Sequence, residues 1–169
     1  EHLPAPLPAR LPGPVRVDEA TRAVVSEGWM SSFRGSFAAG RVFAETAQHL
    51  AGPGRPGDVV DLKLIAFSHG AETGASVTLS ASMTFLATIA GDGPPRSTRS
   101  EYACTWRAHF AITPGEEKDM LHEMVRWALS HWAARWAASP SGRFPARERR
   151  VETGPGAECR CNLFARVAE

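Results

Sequence analysis

Residues 76 to 112 read SVTLSASMTFLATIAGDGPPRSTRSEYACTWRAHFAI, and two alternations in this stretch decide the fold. Val77, Leu79, Ala81, Met83, Phe85, Ala87 and Ile89 take every second position, with Thr78, Ser80, Ser82, Thr84, Leu86 and Thr88 between them. Successive side chains of a strand point to opposite faces, so Ser76 to Ala90 is predicted as a strand with one buried and one wet face. A second alternation follows over Thr98 to Ile112, with Tyr102, Cys104, Trp106, Ala108, Phe110 and Ile112 set against Arg99, Glu101, Thr105, Arg107 and His109. The short Gly- and Pro-rich turn between the two runs favours an antiparallel hairpin.

Working outward, Asp58 to Ser68 places Val60, Leu62, Leu64 and Ala66 on one face and Val59, Ile65 and Phe67 on the other, the pattern of a central strand. Thr113-Pro114-Gly115-Glu116 is a helix start: Thr113 caps, Pro114 suits the first helical position, and Glu116 completes a capping box. The helix is predicted to run to about Ala138, and its stripe of Leu121, Val125, Ala128, Leu129, Trp132 and Trp136 is a natural lid for the sheet. Trp29, Phe33 and Phe37 recur at helical spacing and predict a second helix ending at Gly40, while Val42 and Phe43 incline Arg41 to Leu50 toward strand. One short strand is expected within Val15 to Val25. The fold class is therefore α+β, an antiparallel sheet of four to five strands with two helices packed on one face. Pro4, Pro6, Pro8, Pro12 and Pro14 make residues 1–14 a Pro-rich arm, either a tether or a strap on the domain. The α+β domain spans 15–140, and 141–169 is a C-terminal tail whose segment Glu158 to Phe164 is a candidate returning strand.

The chain of 169 residues is 43% hydrophobic and 22% charged, which suits one soluble domain with one core. A net charge of +1 provides no global field for nucleic acid, and no nucleic-acid partner is expected. No apolar run reaches the roughly 18 to 20 residues of a membrane span. Cys104, Cys159 and Cys161 are an odd set, which argues against a disulfide scaffold but leaves open one bridge from Cys104 to the Cys159/Cys161 pair in an oxidising compartment.

Few residues bear chemistry. Cys104 and His109 lie an odd number of positions apart on one strand and so cannot form a dyad. Cys159-x-Cys161 lacks zinc-site spacing, and His122 and His131 point apart on their helix, so no metal is expected. Gly52-Pro53-Gly54-Arg55-Pro56-Gly57 formally fits a dinucleotide fingerprint but carries two prolines and opens a strand. No catalytic residue and no cofactor is expected. Trp127 lies off the core stripe beside His131, and its ring either anchors an interface or packs under the C-terminal tail. The Ser/Thr face next to Arg99, Glu101 and Arg107 is either solvated or the seat of a neighbouring subunit. Trp127, His131, Arg99 and Arg107 are accordingly the candidate binding residues.

The order of elements, with Phe37-Ala38-Ala39-Gly40-Arg41-Val42-Phe43 at a helix end and Asp58-Val59-Val60-Asp61-Leu62-Lys63-Leu64 opening a strand, resembles the small outer-membrane lipoproteins of envelope systems. These are of the transport-auxiliary, lipopolysaccharide-assembly and polysaccharide-export type. In that family a variable residue, Gly, Arg, an apolar residue and Phe lead into a strand, matched here by Ala39, Gly40, Arg41, Val42 and Phe43. The resemblance covers about residues 15 to 138; the chain holds no lipobox Cys, and its last 30 residues have no counterpart. It implies a non-enzymatic, periplasmic, outer-membrane-associated accessory subunit of a transport or assembly machine. Such a subunit would form a homo-oligomer or join a larger complex, bind envelope proteins, and reach the membrane through an anchor upstream of Glu1. A helix followed by long antiparallel strands also fits a hotdog-like acyl-thioester enzyme with Glu27 as its acid, and a small-ligand-binding module is a third alternative.

Overall fold

The computed structural model describes residues 10–29, 36–54, 57–74, 76–91, 93–108, 112–137, 147–154 and 157–167. In chain order these form β1 (Val15–Val17), α1 (Glu19–Arg22), β2 (Ser26–Trp29), β3 (Ser36–Phe37), α2 (Ala39–Leu50), β4 (Val59–Thr73), β5 (Val77–Gly91), β6 (Gly93–Ala108), α3 (Pro114–Trp132), β7 (Arg147–Gly154) and β8 (Ala157–Val167). A π-helical turn, Ala133–Ala137, extends α3. Phe33, Asp92, His109 and residues 1–9 of the arm lie outside the described residues.

The sheet runs β3-β2-β4-β5-β6-β8-β7, with β1 also on β4. Its five long strands, β4, β5, β6, β8 and β7, are antiparallel to their neighbours, whereas β1 and β2 pair with β4 in parallel. The α+β class with helices on one face of a largely antiparallel sheet is thus what the chain adopts. Both alternating runs form strands, the second as far as Ala108, with Phe110 outside the described residues and Ile112 beyond the strand, and Met83, Trp106 and Trp132 share one interior at 1%, 0% and 0% exposure. Phe85 of β5 is where the covering layer meets the sheet: Phe43 of α2 lies 5.6 Å from it and Trp132 of α3 lies 5.8 Å away, edge on.

Helix α3 starts as its sequence dictates. The Glu116 amide donates to Thr113 Oγ1 at 3.1 Å, and the Thr113 hydroxyl donates to Glu116 Oε1 at 3.0 Å. The first helix is a correction. Trp29 and Phe37 lie on β2 and β3, and the helix is instead Ala39–Leu50, the segment that Val42 and Phe43 incline toward strand. Ala39, Val42, Phe43, Thr46 and Ala47 are buried along it, a helical period that outweighs the strand preference of two residues. Gly40 does not stop a helix but begins one against α1, where an added Cβ would stand 1.9 Å from the Thr21 carbonyl oxygen.

Two further differences concern the sheet. The register of β4 shifts between Leu64 and Ala66, so beyond this bulge the buried positions are Phe67, His69 and Ala71, and Ala66 is exposed. The edge of β4 left open between β1 and β2 is met there by Thr21 of α1, whose hydroxyl accepts from the Leu64 amide at 3.2 Å. The C-terminal segment is a two-stranded hairpin, not a tail with one short strand, and β8 adds Ala157, Cys159, Cys161 and Leu163 to the buried face. Cys104 and Cys159, direct partners across β6 and β8, are joined in a disulfide. At the other end, residues 10–14 form a strap: Leu11 is buried and its amide donates to the Leu50 carbonyl at 2.7 Å.

Gly40→Ala is expected to lower unfolding stability by about 3 kcal/mol, since a new methyl has no room against rigid backbone. Gly115→Ala, with nothing within 4 Å of the new Cβ, is the control and should be neutral or slightly stabilising. Urea titrations of the two variants check this.

Candidate functional site

The four candidate residues fall on opposite sides of the sheet. Arg99 and Arg107 point from β6 into solvent; Trp127 and His131 are inside, at 4% and 5% exposure. Neither of the latter is a surface anchor, so of the two places open to the Trp127 ring it takes an interior one. Trp127 stacks on His131 with ring centres 4.7 Å apart and meets Tyr102 edge on at 5.8 Å. The Tyr102 hydroxyl and His131 Nδ1 are hydrogen-bonded at 3.1 Å. This cluster fastens α3 to β6, and its polar atoms serve packing.

A second buried polar cluster has no counterpart in the sequence reading. Ser26 Oγ of β2 lies 2.7 Å from His69 Nδ1 of β4, and the charge of Glu117, in the first turn of α3, acts on the same imidazole. Serine beside histidine is the arrangement of an activated nucleophile. All three residues are only 1% exposed, so no substrate in solution can reach the hydroxyl. The sequence reading misses Glu117 although a signal for it exists: it sits four residues before Leu121 on the buried stripe. For Ser26 there is none, because its pairing depends on a short parallel strand.

Burial pushes His69 below its ordinary value, against the opposing pull of Glu117. His122 is lowered too, first by burial and then by Arg126 and Lys118, against Asp119 and Glu45. Among the described residues no three His, Cys, Asp or Glu side chains converge as a metal site.

The face turned away from the helices is the arrangement open to a partner. Its residues are set in rows by the register: Lys63, Leu86, Arg99 and Phe164 are consecutive partners across β4, β5, β6 and β8. Leu86 and Phe164 are 37% and 36% exposed, and they flank Arg99 in the row. A shallow groove of about 440 Å³ opens along this row, walled by Leu86, Thr88, Ser97, Arg99 and Phe164. Thr88 and Ser97 hydroxyls close its floor with a 3.3 Å hydrogen bond. Glu101 follows Arg99 on the same face, in the row of Thr84 and Asn162. Arg107 stands eight residues from Arg99, about 26 Å along the strand, and does not share the groove. A second cleft of about 500 Å³ lies at the end of the sheet, between the strap and the β5–β6 turn, with Asp58 and Arg96 on its walls. No helix among the described residues is long and apolar enough to cross a membrane.

Two outcomes follow from the interior. Trp127→Ala is expected to cost about 3 to 5 kcal/mol, the usual loss for an aromatic core residue, where a surface anchor would leave the melting temperature unchanged. The second concerns pH. A histidine whose folded-state pKa is depressed lets the unfolded chain bind the proton first, so its contribution is present above the ordinary value of 6.5 and is lost as pH falls through the lowered one. Stability measured from about pH 7.5 down to pH 5 should fall, and His69→Asn should flatten part of that slope, His122 supplying the rest.

Comparison with protein-family models, curated proteins and solved structures finds no match to this chain.

Proposed function

We propose that this chain is a non-enzymatic accessory subunit of a cell-envelope transport or assembly system, held on the periplasmic side near the outer membrane. Its working surface is the open face of the sheet. The observation that carries the reading is the buried Cys104–Cys159 bridge. A disulfide in the core of an ordinary domain persists where thiols are not kept reduced, as in the periplasm and outside cells. Support for the contact surface comes from the row through Arg99, where exposed apolar groups and a guanidinium alternate, the mixture enriched at the centres of protein interfaces. The acyl-thioester alternative loses its footing, because Glu27 lies on β2 and not at the head of a helix.

Two measurements on the full-length protein in its own cells test this. Trapping thiols with an alkylating reagent at lysis should find Cys104 and Cys159 unlabelled, and labelling of both would end the envelope reading. A photo-cross-linking amino acid at position 99 should give discrete protein adducts, while the same group at exposed Arg126 on α3 should not. Equal adduct yields at the two positions would remove the sheet face from the proposal.

A further inference from the structure

We infer that β8 has two registers on β6, each locked by its own disulfide, and that Cys161 is the sulfur that exchanges them. Ala157, Cys159, Cys161 and Leu163 all face inward from β8. In the observed register Cys159 stands opposite Cys104 and Cys161 opposite Tyr102. Parity sets which face of a strand is buried, but a slip of two residues keeps every side chain on its face. Such a slip would bring Cys161 opposite Cys104 and Leu163 opposite Tyr102, leaving the floor apolar. The hairpin is free to move as a unit, because β7 pairs with β8 alone among the described strands. Burial therefore specifies the face of β8, and the disulfide chooses between rungs.

The two states interconvert by thiol–disulfide exchange. The Cys161 thiolate attacks Sγ of Cys104, the Cys104–Cys159 bond breaks, and Cys159 leaves as a thiolate that takes up the proton lost by Cys161. One S–S bond forms as one breaks, and no oxidant or reductant is consumed. Exchange and slip are one motion: in the observed register Cys104 and Cys161 are diagonal neighbours with Cα atoms about 8 Å apart, beyond the reach of a disulfide, so the attack takes place as β8 moves part of the way toward the second register. The slip also re-pairs the outer face, where Arg99 would exchange Phe164 for Arg166 as its neighbour on β8 and the groove would lose an apolar wall. That consequence alone rests on the proposed contact face.

Trypsin separates the isomers, because Arg160 lies between the two cysteines. Peptide 100–107, which carries Cys104, is linked to 151–160 in the observed register and to 161–166 in the slipped one. After equilibration of the wild-type chain in glutathione buffer near about pH 8 and acid quenching, mass spectrometry should find both linked species. The second should make up about 0.1 to 10% of the total, the usual range for a minor state. Cys159→Ser should give only the second species and Cys161→Ser only the first. A wild-type chain that yields the first species alone overturns the inference, as does a folded Cys159→Ser that keeps two thiols in oxidised glutathione. If Cys159→Ser does not fold, the wild-type ratio decides. None of these readouts depends on where the protein resides or what it contacts.

Discussion

Covering the inward face of β5 and β6 is the constraint on which the rest of the architecture depends, and it is concentrated at Phe85. This ring is fully buried, meets Phe43 from α2 and Trp132 from α3, and stacks on Tyr102 of the adjacent strand at 6.0 Å. Two helices from distant parts of the chain thus share one aromatic floor. Such contacts add to the free energy of area burial, by about 0.5 to 1.5 kcal/mol for each well-placed ring pair. Placing so many rings together has a polar consequence as well. The indole nitrogens of Trp106, Trp127 and Trp132 are buried with no hydrogen-bond acceptor among the described residues.

Where polar groups inside are satisfied, they join separate elements. Thr21 of α1 meets the β4 edge at the bulge, Ser26 ties β2 to His69 of β4, and Tyr102 of β6 holds His131 of α3. Each joins side chains or backbone of two different elements. Their directionality fixes position in a way that the non-directional burial around them does not. The Ser26–His69 pair is best understood in these terms. It resembles catalytic chemistry in its atoms and a structural tie in its seclusion.

Most of the framework was legible because it rests on local rules. Alternation located β5 and β6, and the Thr113 to Glu116 segment stated where α3 begins. What escaped depends on distant partners. Val42 and Phe43 favour a strand locally, yet α2 forms because its buried side fits over Phe85. Ala66 lost its place on the inner face to Phe67 through one inserted residue, which no periodicity announces. The sequence leaves Trp127 between an interface and a place under the C-terminal segment for a related reason. Its place is set by Tyr102 of β6 and by His131 one turn on, contacts that the stripe of Leu121, Val125, Ala128, Leu129, Trp132 and Trp136 does not include. Of the candidate site, the exposure of Arg99 and Arg107 followed from parity, but the company of Arg99 did not, since Phe164 reaches it only through the β6–β8 pairing.

That dependence ties the two faces of the sheet together. In a single layer the register that brings Cys159 to Cys104 inside also brings Phe164 to Arg99 outside, five rungs away on the same pair of strands. Neither neighbour relation can change alone. Hydrophobic burial is indifferent to a two-residue displacement of β8, whereas a covalent bond between particular rungs is not. The composition of the exposed row is therefore set by a bond buried beneath the opposite face, and the surface available to a partner is a consequence of sulfur pairing as much as of the residues that compose it.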